Sequence, residues 1–166
     1  MTSLSQAGSA FSGNGSVTRP RPFRSLLTVF TGLACLVAVA PSGAESGIPR
    51  SDSPEGARVY FISPQAGQTV SSPVTVRFGL SQMGVAPAGV SKDATGHHHL
   101  ILDAELPPVA LPIPATDHYR HFGLGQTEVD LELTTGEHTL QLLVGDHNHI
   151  PHDPPVVSER ITITVR

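Results

Sequence analysis

From Arg58 to the end of the chain the apolar residues recur every second position and never at the helical spacing. Pro73-Val-Thr-Val-Arg-Phe-Gly-Leu80 sets Val74, Val76, Phe78 and Leu80 on one face and Thr75 and Arg77 on the other. Glu128-Val-Asp-Leu-Glu-Leu133 does the same with Val129, Leu131 and Leu133, and Arg160-Ile-Thr-Ile-Thr-Val165 with Ile161, Ile163 and Val165. Arg58-Val-Tyr-Phe-Ile62 is β-branched and aromatic, and His138–Val144 is a further apolar run that follows the turn Thr135-Gly136-Glu137. His98, Leu100 and Leu102 form a matching face in a strand that opens on histidines. A period of two is the signature of half-buried strands, and turn residues such as Ser63-Pro-Gln-Ala-Gly67 separate them. Six or seven such strands in roughly 110 residues fit one antiparallel β-sandwich of immunoglobulin-like type. Two long Gly/Pro-rich connections remain, Ser81 to Gly96 and Ala104 to Gln126. Loops of that length tend to carry function.

The first 57 residues have a different texture. Met1–Arg24 is rich in Ser and Gly and carries Arg19, Arg21 and Arg24 without an acidic residue. The apolar run Leu26–Ala40 and the small residues Ser42-Gly43-Ala44 follow. This order reads as a secretory signal peptide over 1–44, too short in its apolar part for a membrane span of about 20 residues. Residues 45–57 then read as a flexible tether and 58–166 as the folded domain. The sole cysteine, Cys35, would leave with the signal, with Gly32 standing where a lipoprotein needs an aliphatic residue. The mature chain would have no thiol for catalysis, disulfides or metal binding. The three arginines would leave too, so 7 basic side chains remain against 14 acidic ones. An acidic surface repels phosphate backbones and anionic lipid, which points away from nucleic-acid partners and from the membrane after cleavage. The expected location is the bacterial periplasm or the secreted fraction.

Chemistry concentrates in the histidines. All of the 9 but His138 fall in three groups: His97-His98-His99, His118 with His121, and His147, His149 and His152. On a strand, His97 and His99 project together with His98 opposite. Imidazole is a borderline ligand suited to Zn, Cu, Fe and Ni. The expected metal ligands are His97, His99, His121, His149 and His152, with Asp103, Asp117 and Asp146 as acceptors for the distal ring nitrogens. Copper or zinc is the expected cofactor. The competing reading is a metal-free interaction or envelope-structural domain whose imidazoles tie loops to strand edges by hydrogen bonds. His138, between a turn and a strand, reads as structural.

Enzyme signatures are missing. The chain has no Gly-x-Ser-x-Gly elbow, no HExxH, no phosphate loop and, once mature, no cysteine nucleophile, so no catalytic residue is assigned. Asp146-x-Asn148 opens like a calcium loop but lacks the glycine and terminal glutamate of an EF-hand. The expected function is that of an exported, non-enzymatic binding module for Cu(II) or Zn(II), its partner a metal ion or another envelope protein.

Several stretches together carry a resemblance. They are Ser63-Pro-Gln-Ala-Gly-Gln-Thr-Val-Ser-Ser-Pro73, Met83-Gly-Val-Ala-Pro-Ala-Gly89, Gly96-His-His-His-Leu-Ile-Leu-Asp103, His121-Phe-Gly-Leu-Gly-Gln-Thr-Glu128, Gly136-Glu-His-Thr-Leu-Gln-Leu142 and Gly145-Asp-His-Asn-His-Ile-Pro-His-Asp-Pro-Pro-Val-Val-Ser158. From about Val59 to Val165 the chain resembles the DUF4399 family, exported bacterial domains of unassigned function. The resemblance implies export and a single domain. Leu124 stands where that family usually has the middle glycine of His-Phe-Gly-Gly-Gly. A thinner likeness, from Val59 to Phe78, is to CopC-type periplasmic copper carriers, small cysteine-free β-sandwiches. Those bind copper through an N-terminal histidine, and no histidine directly follows any expected cleavage point here.

Overall fold

The structure, a computed structural model, describes residues 48–166. The expected signal peptide and Cys35 lie outside the described residues. No helix of the described part is long and apolar enough to cross a membrane.

Nine strands run through the described residues: β1 (Arg58–Ser63), β2 (Thr69–Val70), β3 (Val74–Ser81), β4 (Gly84–Val85), β5 (Thr95–Leu102), β6 (Tyr119–His121), β7 (Glu128–Leu131), β8 (Gly136–Gly145) and β9 (Ile161–Val165). They form a three-stranded sheet in the order β1-β3-β7 and a six-stranded one in the order β2-β9-β8-β5-β4, with β6 on β5. The described residues are all-β, and their long ladders are antiparallel. Two short pairings depart from that expectation: two-residue β2 runs parallel to β9, and two-residue β4 parallel to β5. The alternation in the sequence decides which residues meet between the sheets. Val59, Val74, Val76 and Phe78 from the smaller sheet share one apolar core with Leu100, Leu102, Leu140, Leu142, Ile161 and Ile163 from the larger. Removing that much aliphatic surface from water, at about 25 cal/mol per Å², supplies the drive that a disulfide gives smaller domains.

Four stretches behave differently from their sequence expectation. The connection from Ser81 to Gly96 contains β4, and that from Ala104 to Gln126 contains β6, so both are partly strand. The strand read as Glu128–Leu133 stops at Leu131. Residues 45–57 are not a free tether from Arg50 onward. Ser53 N donates to Asp153 O at 3.0 Å, Asp153 N donates to Ser51 O at 2.9 Å, and Arg50 pairs with Asp153 at 3.2 Å. The prolines and serines that suggested flexibility lie instead along the Ile150–Pro154 segment.

β5 is the element that positions the site. It is buried from Gly96 to Leu102 on both faces, an arrangement more usual for central strands of covered sheets. One face, with His98, Leu100 and Leu102, meets the main core. The other carries His97, His99 and Ile101. Over it the 104–126 connection lays Ile113, which joins Ile101 and Leu143 in a second apolar cluster beside Tyr119.

Candidate metal centre

β6 sits beside β5 with His121 directly opposite His99, so a single antiparallel register sets those two imidazoles side by side. His97 is two residues back on the same face of β5. The fourth member, His149, comes from the turn after β8. There Asp146 N donates to Ile150 O at 2.9 Å and His149 N to Asp146 O at 2.9 Å, while Ile113 N reaches across to His149 O at 2.8 Å. These bonds close the turn over the β5 face.

One ring nitrogen from each of His97, His99, His121 and His149 lies within 4.8 Å of the other three. His97 Nε2 stands 3.1 Å from His99 Nε2 and 3.1 Å from His149 Nδ1. The rings meet at centroid distances of 4.9 Å for His97–His99, 4.9 Å for His97–His121 and 4.6 Å for His121–His149. His97 and His99 are fully buried, His149 is half-buried and His121 is exposed, so the group opens to solvent on one side.

Two glycines make room for the rings. A Cβ on Gly123 would fall 2.3 Å from the His121 ring, and one on Gly145 would fall 2.9 Å from His99 Nε2. Neither glycine has a positive φ, so the reason for glycine there is space. Leu124 is 82% exposed and its backbone is not left-handed, whereas Gly125 has φ 84°; the departure from the family's glycine therefore falls where a side chain fits.

The electrostatics favour neutral rings. Burial, reinforced by the neighbouring His121 and His149, lowers the His97 pKa to about 4. Burial and then His97 lower that of His99 to about 2. Burial and His149 hold His121 below its ordinary value. Neutral imidazole is the form that binds a metal. It also leaves His97 Nε2 over-subscribed. A ring nitrogen has one in-plane position, a proton or a lone pair, and here two other ring nitrogens approach it at hydrogen-bond length.

The remaining expected residues fall elsewhere. His152 stands outside the group, its Nε2 3.2 Å from Thr95 O and its ring against Gly96, because the Asp146–Ile150 turn swings it past the edge of β5. The three aspartates do not serve the ligand rings, and Nδ1 of His97 and of His99 has no hydrogen-bond partner. Asp103 instead holds His138 Nδ1 at 2.7 Å and accepts from Thr139 N at 2.7 Å. Asp117 is exposed and lies 3.9 Å from Arg120. Asp146 is buried and works one step removed, by building the turn. It accepts from Asn148 N at 2.8 Å, Ile150 N at 3.0 Å and the Ser51 hydroxyl at 2.9 Å. Burial works to raise its pKa, and these three bonds outweigh that and lower it. His118 sits with Nδ1 2.8 Å from Leu102 O and His138 with Nε2 2.9 Å from Thr134 O, both fixing loops to the sheet. The two spacer glycines and Ile113 were not singled out by sequence reasoning. The Phe122-Gly-Leu-Gly-Gln126 run held the signal for Gly123.

Fold and site together define an all-β domain with a four-histidine cluster on the covered face of its larger sheet. The family profile described as Domain of unknown function (DUF4399) matches residues 76–166, and the chain belongs to that family. No curated protein matches the chain, and no solved structure does.

Proposed function

We propose that this protein is an exported, non-enzymatic module that binds Cu(II) or Zn(II) through His97, His99, His121 and His149. The observation that carries the reading is the convergence of four ring nitrogens within 4.8 Å of one another. Metal–nitrogen bonds of about 2.0–2.1 Å put neighbouring ligand atoms about 2.9 Å apart in a square plane and about 3.3 Å apart in a tetrahedron. The 3.1 Å separations of His97 Nε2 from His99 Nε2 and His149 Nδ1 fall in that range, and a cation among them would use the lone pairs that now crowd one another. The basic start, the apolar run and the Ser42-Gly43-Ala44 exit support export to the periplasm or beyond. An immunoglobulin-like sandwich is the finer fold reading. The orders β1-β3-β7 and β9-β8-β5 support that reading, in which they would be strands A, B, E and G, F, C.

A metal-free domain, organising its loops for an envelope partner, is the second reading. It draws on the 3.1 Å contacts of His97 Nε2, which are hydrogen-bond length. A melting experiment on tag-free protein separates the two. On the metal reading, Cu(II) or Zn(II) at neutral pH raises Tm, with stabilisation of about 2.7 kcal/mol at a hundredfold excess over Kd. His99→Ala then removes the metal response. On the metal-free reading the titration is flat, and His99→Ala lowers apo stability by the about 0.5–1.5 kcal/mol of a lost hydrogen bond.

A further inference from the structure

We infer that the four-histidine site discriminates between oxidation states of copper, holding Cu(II) more tightly than Cu(I). This rests on the metal-binding reading above and adds which ion the site is built for. The donor set is four imidazoles with neither carboxylate nor sulfur. Among divalent first-row ions, nitrogen donors favour copper over zinc, whereas thiolate and thioether ligands are what select Cu(I). Met83 is the one sulfur-bearing residue of the described part, and it packs against the main core, which lies across β5 from His97 and His99. Among the described residues, no sulfur can therefore reach the ion without dismantling the sheet. The rings are also brought together in advance. β5 and β6 fix His97, His99 and His121 by register, and the Asp146 turn fixes His149. A gathered set of four suits the higher coordination demand of Cu(II).

The consequence is a site that retains oxidised copper and loosens its hold when the ion is reduced. Each tenfold preference for Cu(II) lowers the one-electron potential of the bound ion by about 59 mV relative to the free couple. Tag-free protein can be titrated with Cu(II) against nitrilotriacetate, and anaerobically with Cu(I) against bicinchoninate. Cu(II) is expected to bind at least about tenfold more tightly than Cu(I). Equal or tighter binding of Cu(I) overturns the inference. Zinc binding without affinity for copper in either state also overturns it while leaving the metal reading intact; binding of no metal removes both. His121→Met places a thioether at the exposed member of the group, where folding is not at stake. It should narrow the preference by about tenfold or more, and an unchanged ratio would contradict the donor-chemistry argument.

Discussion

His149 adopts a backbone φ of 63°, in the left-handed region that non-glycine residues enter at a cost of about 1–3 kcal/mol. Such a conformation persists where surrounding bonds over-determine it, and here Asp146 and Ile113 hold the residue from both sides. The strain aims the imidazole at His97. Asparagine tolerates the same conformation without reaching the cluster. His149→Asn should therefore leave the apo melting temperature near wild type, within about 0.5 kcal/mol, and abolish most of the metal-dependent rise. A loss of apo stability well beyond that range would mean the ring itself is structural. Gly123→Ala probes the same idea from the opposite side. The new methyl drives into the His121 ring, and metal affinity should fall about 10–100-fold, the range for ligands whose orienting surroundings are disturbed. Isothermal titration against Cu(II) or Zn(II) reads that change, and unaltered affinity would show that His121 does not bind the ion. The sequence already displayed the ligand types, because histidines clustered in an otherwise unremarkable chain are visible by eye. It could not display which of His149 and His152 turns inward, since the turn is held by the bonds Asp146 accepts from Asn148 N, Ile150 N and the distant Ser51 hydroxyl.

At the scale of elements, β5 explains most of what was and was not legible. Alternation correctly set His98 with Leu100 and Leu102 against the main core, and His97 with His99 on the other face. That the second face is also buried depends on Ile113 and Tyr119 arriving from a connection with no periodicity of its own. The double burial makes the strand acid-sensitive. His98 lies 4.7 Å from the Phe78 ring, and both of its ring nitrogens lack a hydrogen-bond partner, with the Gln126 backbone only partly opposing the effect of burial. Burial lowers its pKa to about 4. In the unfolded chain these histidines titrate near 6.5, so below that pH the unfolded state binds more protons than the folded one. Their contribution to stability is complete above pH 6.5 and is lost as pH falls toward 4. Each such group removes about 1.4 kcal/mol per pH unit within its window. Urea unfolding of the apo protein should show midpoints that drop steeply between pH 6.5 and 4.5, and His98→Leu should flatten that slope by about one proton. The His138–Asp103 pair acts with the opposite sign. Its hydrogen bond to Asp103 raises the His138 pKa, so what it adds is present below pH 6.5 and fades as pH rises through the folded value. A pH-independent midpoint through the acid range would mean that the β5 histidines are not held neutral by burial.

For the molecule as a whole, the point of departure is the strap that precedes β1. Composition marked 45–57 as a tether, because Ser, Pro, Gly and Glu dominate it and nothing in a local pattern reveals a distant partner. The partners are about a hundred residues away in sequence: Asp153 receives Arg50 and exchanges backbone bonds with Ser51 and Ser53, and Asp146 receives the Ser51 hydroxyl. Through Asp146 the strap touches the turn that carries His149, although the family match begins only at residue 76. If the signal is removed as the sequence indicates, protein recovered from its host begins at or near Glu45, and intact mass spectrometry checks that. The strap would then survive maturation, and its worth can be measured by comparing a chain that starts at Glu45 with one that starts at Arg58. The shorter chain loses a hydrogen bond to a buried carboxylate, an interaction of about 1.5–3 kcal/mol. For a domain of this size each kcal/mol moves Tm by about 4 °C. Its melting point should fall accordingly, and its metal affinity should fall with it because the His149 turn loses one of its three supports. Ser51→Ala in the longer chain should reproduce part of both effects. A true tether predicts the same melting point and the same affinity for both chains, and that result would confine the site to β5, β6 and the Asp146 turn.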